Sequence, residues 1–103
     1  MPTQHAGENP IANATTPVIQ NTTMAAANFE YSYTLPRNCR KFQIKPRNGD
    51  VEIKLSFTSG ESGTNYITVP PGGYWHDMIG MPNQTIYFQT ETEGTIAEIE
   101  GWS

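Results

Sequence analysis

Few residues of this 103-residue chain have the side chains and the spacing that catalysis or metal binding requires. His76 and Asp77 are adjacent, like the orienting half of a catalytic triad, but no nucleophile elbow accompanies them. His5 and His76 have no cysteine or second histidine at ligand spacing, which argues against zinc. Glu98 and Glu100 share one face of a predicted strand as glycosidase carboxylates can, yet so small a β-domain leaves little room for a deep cleft. We therefore predict that the protein is not an enzyme and has no metal or cofactor.

Cys39 is the single cysteine, so it cannot form a disulfide within the chain. A lone cysteine without a neighbouring base is typical of a buried, small apolar residue, which is our prediction here. The lack of a disulfide framework favours synthesis in a reducing cytoplasm. The sequence shows neither a signal peptide nor a run of about 18 apolar residues that would span a membrane.

The charged residues are segregated along the chain. All six basic residues fall between Arg37 and Lys54, and every formal charge after Lys54 is negative. The net charge of −4 argues against nucleic-acid binding, which needs Lys and Arg to neutralise phosphates. The segregation is consistent with ordinary solvated strand faces, or with a dipolar surface that packs copies head to tail or docks on a charged assembly. The second interpretation predicts a charge-patterned interface made by Arg37, Arg40, Lys41, Glu98 and Glu100.

Three aromatic residues, Tyr74, Trp75 and Trp102, are candidates for a binding surface. Aromatic side chains on a β-sandwich can stack on sugars, and Tyr and Trp also anchor protein interfaces. Ordinary packing in the core or at its rim explains the same residues. The alternative function that these aromatics suggest is a receptor- or glycan-binding module.

An alternation of apolar and polar residues predicts an all-β domain over residues 28–103. We expect an antiparallel β-sandwich or jelly-roll-like barrel of about seven strands. The clearest runs, 41–45 and 51–57, are separated by Asn48-Gly49, a pair that suits a tight primed turn. These two runs are therefore predicted to form a central hairpin.

A second hairpin is predicted near the C-terminal end, where residues 84–92 and 95–102 are joined at Glu93-Gly94. In its last strand, two apolar residues share a face with two glutamates. A single buried face cannot hold all the apolar groups, so we expect a bulge, a twisted edge, or burial on both sides against a partner.

Residues 1–27 contain three prolines among Thr, Asn, Gln and Ala and have no sustained helical or strand period. We predict an extended N-terminal arm, which packs against neighbouring chains in an assembly or folds back on its own domain. Its larger apolar residues are the candidate anchors for a partner: Ile11, Val18, Ile19 and Met24.

Four segments together resemble small virion proteins of tailed bacteriophages, over residues 37–102. They are Arg40-Lys-Phe-Gln-Ile-Lys-Pro-Arg, Val51-Glu-Ile-Lys-Leu-Ser-Phe, Tyr66-Ile-Thr-Val-Pro-Pro-Gly-Gly-Tyr, and the stretch from Thr85-Ile-Tyr-Phe-Gln-Thr to Trp102. The resemblance implies a β-sandwich structural protein of the head-decoration or connector type, present in many copies in the virion. It also implies the major capsid or connector protein as partner and a homo-oligomer, with a trimer as one option. No nucleic acid or membrane partner is expected.

Overall fold

The computed structural model describes residues 16–77 and 83–103, which form eight β-strands. In chain order the strands are β1 (Pro17–Met24), β2 (Tyr31–Thr34), β3 (Lys41–Pro46), β4 (Ile53–Ser56), β5 (Ile67–Val69), β6 (Trp75–Asp77), β7 (Thr85–Gln89) and β8 (Thr95–Trp102). The described residues include no helix long and apolar enough to cross a membrane.

The strands form two four-stranded sheets in which all neighbours are antiparallel. The first sheet has the order β1-β8-β3-β6 and the second has the order β2-β7-β4-β5. Among the described strands, β4 and β5 are the one pair that is consecutive in the chain and also hydrogen-bonded. Two interleaved four-stranded sheets of this kind make a jelly roll. The predicted all-β sandwich or jelly-roll-like class is confirmed, with eight strands where about seven were expected.

The core lies between the two sheets and is built from alternate residues of each strand. In β8 the alternation is strict, because Thr95, Ala97, Ile99 and Gly101 are buried and the residues between them are partly exposed. The contiguous apolar core consists of Met24, Leu35, Cys39, Phe42, Ile44, Ile53, Leu55, Val69, Ile86, Phe88, Ala97 and Ile99. Each fully buried Leu, Ile or Phe side chain contributes about 1.5–3 kcal/mol relative to an exposed one.

The predicted central hairpin is wrong. β3 pairs with β8 and β6 in the first sheet, whereas β4 pairs with β5 and β7 in the second. Neither Asn48 nor Gly49 has the positive φ of a primed turn. Instead, Asn48 Oδ1 accepts the backbone N–H of Asp50 at 2.9 Å, and the chain crosses from one sheet to the other. Both arrangements bury the same alternate residues, so the apolar pattern could not distinguish them.

The predicted terminal hairpin is wrong for the same reason. β7 belongs to the second sheet and β8 lies in the interior of the first, between β1 and β3. Gly94 does adopt a positive φ of 82°, but in a connection between sheets. The register of β8 with both neighbours is continuous, so β8 is neither bulged nor an edge strand. Of the three arrangements expected for β8, burial of both of its faces against a partner is the one that stays a prediction.

The boundary predicted between arm and domain also changes. Pro17–Met24, assigned to the arm by sequence, is strand β1 and pairs with β8 over eight residues. Met24 is fully buried in the core and is therefore not an anchor for a partner. The polar composition of this stretch concealed the strand, because an edge strand needs few buried side chains. Ile11 and the rest of residues 1–15 lie outside the described residues.

Glu30 holds the loop between β4 and β5 against the outer side of the second sheet. Its carboxylate accepts hydrogen bonds from the backbone N–H groups of Gly60 (2.7 Å) and Ser62 (3.0 Å) and from the Ser62 hydroxyl (2.5 Å). Ser62 is fully buried, and its Oγ also lies 2.9 Å from Oε1 of Gln89 on β7. Burial raises the pKa of Glu30, but the hydrogen bonds outweigh it, so this pKa lies below the ordinary value of 4.5.

We expect a chain that begins at Asn28 to lose the folded state, because it lacks β1 and the buried Met24 side chain. A chain that begins at Thr16 keeps all eight strands and should unfold cooperatively. In the full chain, Met24→Ala should lower the free energy of unfolding by about 2–5 kcal/mol, measured by urea denaturation. A cooperative transition in the chain from Asn28 would contradict the assignment of β1 to the domain.

Replacing Glu30 by Gln should destabilise the loop by about 1–3 kcal/mol at neutral pH, because buried donors of Ser62 lose a charged acceptor. The pKa of Glu30 is lowered by folding, so its stabilisation is present above pH 4.5 and is lost as the pH falls below that value. The difference in stability between wild type and Glu30→Gln, followed by denaturation from pH 7 downward, should therefore shrink below pH 4.5. A difference independent of pH would contradict this role.

Candidate interaction surface

Five of the twelve predicted site residues meet on one surface, the side of the first sheet that points away from the core. We call it the outer face; it is made by Ile19, Asn21, Lys41, Gln43, Lys45, Ile96, Glu98, Glu100 and Trp102. The register aligns these residues in rungs across β1, β8 and β3, such as Ile19, Glu100 and Gln43. A depression of about 260 Å³ lies on this face, lined by Ile19, Asn21, Gln43, Lys45, Arg47, Glu98, Ile99 and Glu100.

The centre of the outer face is an ion-pair cluster around Glu98. Arg47 Nε donates to Glu98 Oε2 at 2.7 Å, and Lys45 Nζ lies 3.3 Å from Glu98 Oε1. The hydrogen bond from Arg47 is the largest cause of a lowered pKa for Glu98. Burial opposes it, and the hydrogen bond and charge of Lys45 add to the lowering. Charges that are segregated in the sequence are therefore paired within one chain here, because β3 and β8 are neighbours.

Lys41 and Trp102 form the end of the outer face next to Pro17. Lys41 Nζ lies 5.2 Å from the centroid of the Trp102 ring, a cation–π geometry. The backbone N–H of Arg40 donates to the Trp102 carbonyl at 2.6 Å, which fixes the start of β3 against the end of β8. The Trp102 indole nitrogen is buried and has no hydrogen-bond partner among the described residues.

The remaining predicted residues are spread over the molecule. Arg37 is exposed in the turn between β2 and β3, and Tyr74, which precedes β6, is 53% exposed. In the backbone register, Trp75 of β6 is opposite Ile44 of β3, and Trp102 of β8 is opposite Lys41 of β3. Ile44 and Lys41 are three positions apart on β3 and lie on opposite faces of the sheet. These two tryptophans are therefore about 10 Å apart along the strands as well as two strands apart. The backbone register does not assemble the three aromatics into one platform.

The side chains that could bind a metal or take part in catalysis are equally dispersed in the part of the chain that is described. No three His, Cys, Asp or Glu side chains among these residues are close enough to hold a metal ion. The prediction for Cys39 is confirmed: it is buried, its thiol donates to the Lys41 carbonyl at 3.2 Å, and burial raises its pKa. His5 lies outside the described residues, and His76 pairs through its backbone register with Gln43.

Sequence reasoning missed the edge formed by β1. The four edge strands are β1, β6, β2 and β5, and β1 has eight residues where the others have three or four. Ile19 is 70% exposed and Val18 is 39% exposed on this strand. The available signal for a strand was two pairs of consecutive β-branched residues, Val18-Ile19 and Thr22-Thr23.

Comparison with known proteins gives no family for this chain. No family model matches it, and no curated protein does so significantly. Solved structures with a similar fold include a de novo designed double-stranded β-helix, with 14% identity, 86% of this chain and 100% of that chain covered, and a TM-score of 0.47. A Cupin_2 domain of an XRE family transcriptional regulator from Enterobacter cloacae has 8% identity, coverages of 85% and 96%, and a TM-score of 0.45. RmlC from Streptococcus suis, in complex with dTDP-D-xylose, has 10% identity, coverages of 85% and 43%, and a TM-score of 0.43.

These similarities carry no argument about function, because all three TM-scores are below 0.5 and the identities are 14% or less.

We expect Arg47→Ala to raise the pKa of Glu98 more than Lys45→Ala does, because the Arg47 hydrogen bond is the larger cause of its lowered value. Carboxyl NMR titration of the full chain measures this pKa directly. Lys54→Ala is the matched control: Lys54 pairs with Glu91 at 3.2 Å in a different part of the molecule, so it should leave Glu98 unchanged. Equal effects of the three substitutions would contradict the ion-pair cluster.

Proposed function

We propose that this chain is a non-enzymatic structural protein of a tailed-phage virion, made in the bacterial cytoplasm, that serves as capsid decoration or as a component of the head-tail region. Its partners are the major capsid or connector protein and further copies of itself. The resemblance of residues 37–102 to small virion proteins supports the virion location. The jelly-roll fold supports a structural role only in a general way, because the same fold is used by proteins of many functions.

The observation that carries the proposal is the position of β1. This strand lies at the edge of its sheet, and the sequence before Thr16 continues directly from it. Two of the predicted anchors, Val18 and Ile19, are exposed on this strand and can contact a neighbouring subunit. An exposed strand edge also offers backbone groups for strand addition. The docking element in this proposal is residues 1–15 together with the exposed residues of β1.

The mechanism is burial of apolar surface with strand pairing. Ile19 is the strongest described anchor, because its side chain is exposed in the single chain. Covering such a side chain completely contributes about 1.5–3 kcal/mol. In an assembly with many copies this contribution is made many times, since each subunit that binds adds further contacts to its neighbours.

We expect purified full-length protein to cosediment with phage particles that lack it, whereas a chain beginning at Thr16 should bind far more weakly. Both chains keep all eight strands, so the comparison tests docking separately from folding. Ile19→Asp should also reduce binding. Ile67→Asp is the matched control, since Ile67 is an exposed isoleucine (37%) on an edge strand of the other sheet.

Equal cosedimentation of the two chain lengths would remove residues 1–15 as a docking element. If neither chain binds the particles, the virion role itself is contradicted. Equal loss of binding in Ile19→Asp and Ile67→Asp would show that the effect is not specific to β1.

A further inference from the structure

The backbone of β1 has a regular set of hydrogen-bonding groups on its outer edge. Thr16 and Ser103 exchange two hydrogen bonds, N–H of each to C=O of the other, at 2.9 and 2.8 Å. Antiparallel strands alternate between hydrogen-bonded and non-hydrogen-bonded pairs. Along β1, the even-numbered residues therefore direct their N–H and C=O groups toward β8, and the odd-numbered ones direct theirs away from it.

The other side of β8 is consistent with this alternation. The backbone N–H of Arg47 donates to the carbonyl of Ile96, an even-numbered residue of β8, so the even-numbered residues of β8 bond to β3. The odd-numbered residues of β8 are then the partners of β1, as their register with Val18, Gln20 and Thr22 requires. Ile19, Asn21 and Thr23 thus direct their backbone groups to an edge along which no described strand pairs.

This edge lacks the features by which proteins usually prevent strand addition. Natural edge strands are commonly short, bulged, or interrupted by Lys or Pro. β1 has eight residues, keeps one register throughout, and contains no formal charge. Its single proline is Pro17, the first residue of the strand, and the third residue, Ile19, is exposed.

We propose that β1 pairs with β1 of a second copy of this chain, antiparallel and about a twofold axis at Asn21, so that two four-stranded sheets become one eight-stranded sheet. This inference deepens the proposed function and rests on one part of it, namely that the chain is a subunit of an assembly. In this register Ile19 pairs with Thr23 of the partner copy and Asn21 pairs with its own equivalent. Every outward N–H of Ile19, Asn21 and Thr23 then has an acceptor, and Pro17, which has no N–H, remains outside the paired segment.

A second copy fits this edge better than an unrelated segment. Antiparallel pairing about a twofold axis presents the same strand on both sides, so one self-complementary edge supplies all the groups that the contact needs. The net charge of −4 repels copies in general, but β1 brings no charge to the contact. Two carboxylates of β8 border β1: Glu98, opposite Asn21, is paired with Lys45 and Arg47 within each chain, and Glu100 is opposite Ile19. Pairing also covers part of Ile19, the most exposed large apolar side chain among the described residues.

The first test is the oligomeric state of the purified full-length chain, measured by sedimentation equilibrium over a range of protein concentrations. Wild type should form a dimer as concentration rises. Asn21→Pro should be monomeric, because proline removes an outward N–H without touching the bonds to β8. Asn21→Thr is the matched control, since it changes the side chain, keeps the N–H and should still dimerise.

A charge-complementation experiment distinguishes pairing of copies from other contacts. Asn21 faces its own equivalent across the twofold axis, so Asn21→Lys and Asn21→Glu should each be monomeric because like charges meet there. An equimolar mixture of the two variants should form a heterodimer. Failure of the mixture to associate, while wild type dimerises, would place the contact elsewhere.

Amide hydrogen exchange followed by NMR tests the edge residue by residue. The amides of Val18, Gln20 and Thr22 should be protected at every protein concentration, whereas those of Ile19, Asn21 and Thr23 should become protected only as the chain dimerises. Protection of the second set that is independent of concentration would mean that the chain covers its own edge, and it would overturn the proposal. A wild type that stays monomeric would overturn it too. Neither result depends on particle binding, so the failure of this contact and of the virion role can be told apart.

Discussion

The pairing of β8 with strands on both of its edges is the interaction on which the rest of this structure depends. β8 joins β1, near the start of the described chain, to β3 in its middle. Its buried residues, among them Ala97 and Ile99, form the centre of the first sheet's inner side. Because β8 is enclosed in this way, β7 has to pair in the other sheet, and the chain alternates between sheets as a jelly roll does.

The same pairing determines where the charges are found. β3 carries Lys45 and is followed by Arg47, and β8 carries Glu98; their adjacency converts a segregated sequence into a local ion-pair cluster. Exposed ion pairs contribute little to stability, about 0–1 kcal/mol. Their importance here is that they neutralise part of the outer face, next to the uncharged β1. The pairing of Glu98 therefore reduces the electrostatic repulsion that an interface at that edge meets.

The outer sides of the two sheets differ. The loop between β4 and β5 covers part of the second sheet, where Ser62 and Gln89 are buried beside Glu30. Each sheet has a depression, but the one on the first sheet lies beside a long edge strand. Burial of polar groups under the loop requires hydrogen bonds for each of them, and the Glu30 carboxylate supplies three. This difference is why the proposed contacts all concern the first sheet.

The sequence by itself determined the β class and the inward-facing residues: Phe42, Ile44, Ile53, Leu55, Ile86 and Phe88 alternate in the chain and all lie in the core. It also determined the burial of Cys39. Only the tertiary structure decided that β3 and β4 lie in opposite sheets, that Pro17–Met24 is a strand, and that Glu98 meets Arg47. The physical reason is that alternation is a local property, which assigns a side chain to one face of its strand. Which strand pairs with which is decided by backbone hydrogen bonds between distant segments of the chain. The same alternate residues are buried whether two strands are neighbours in one sheet or face each other in two sheets, so the apolar pattern does not distinguish these arrangements.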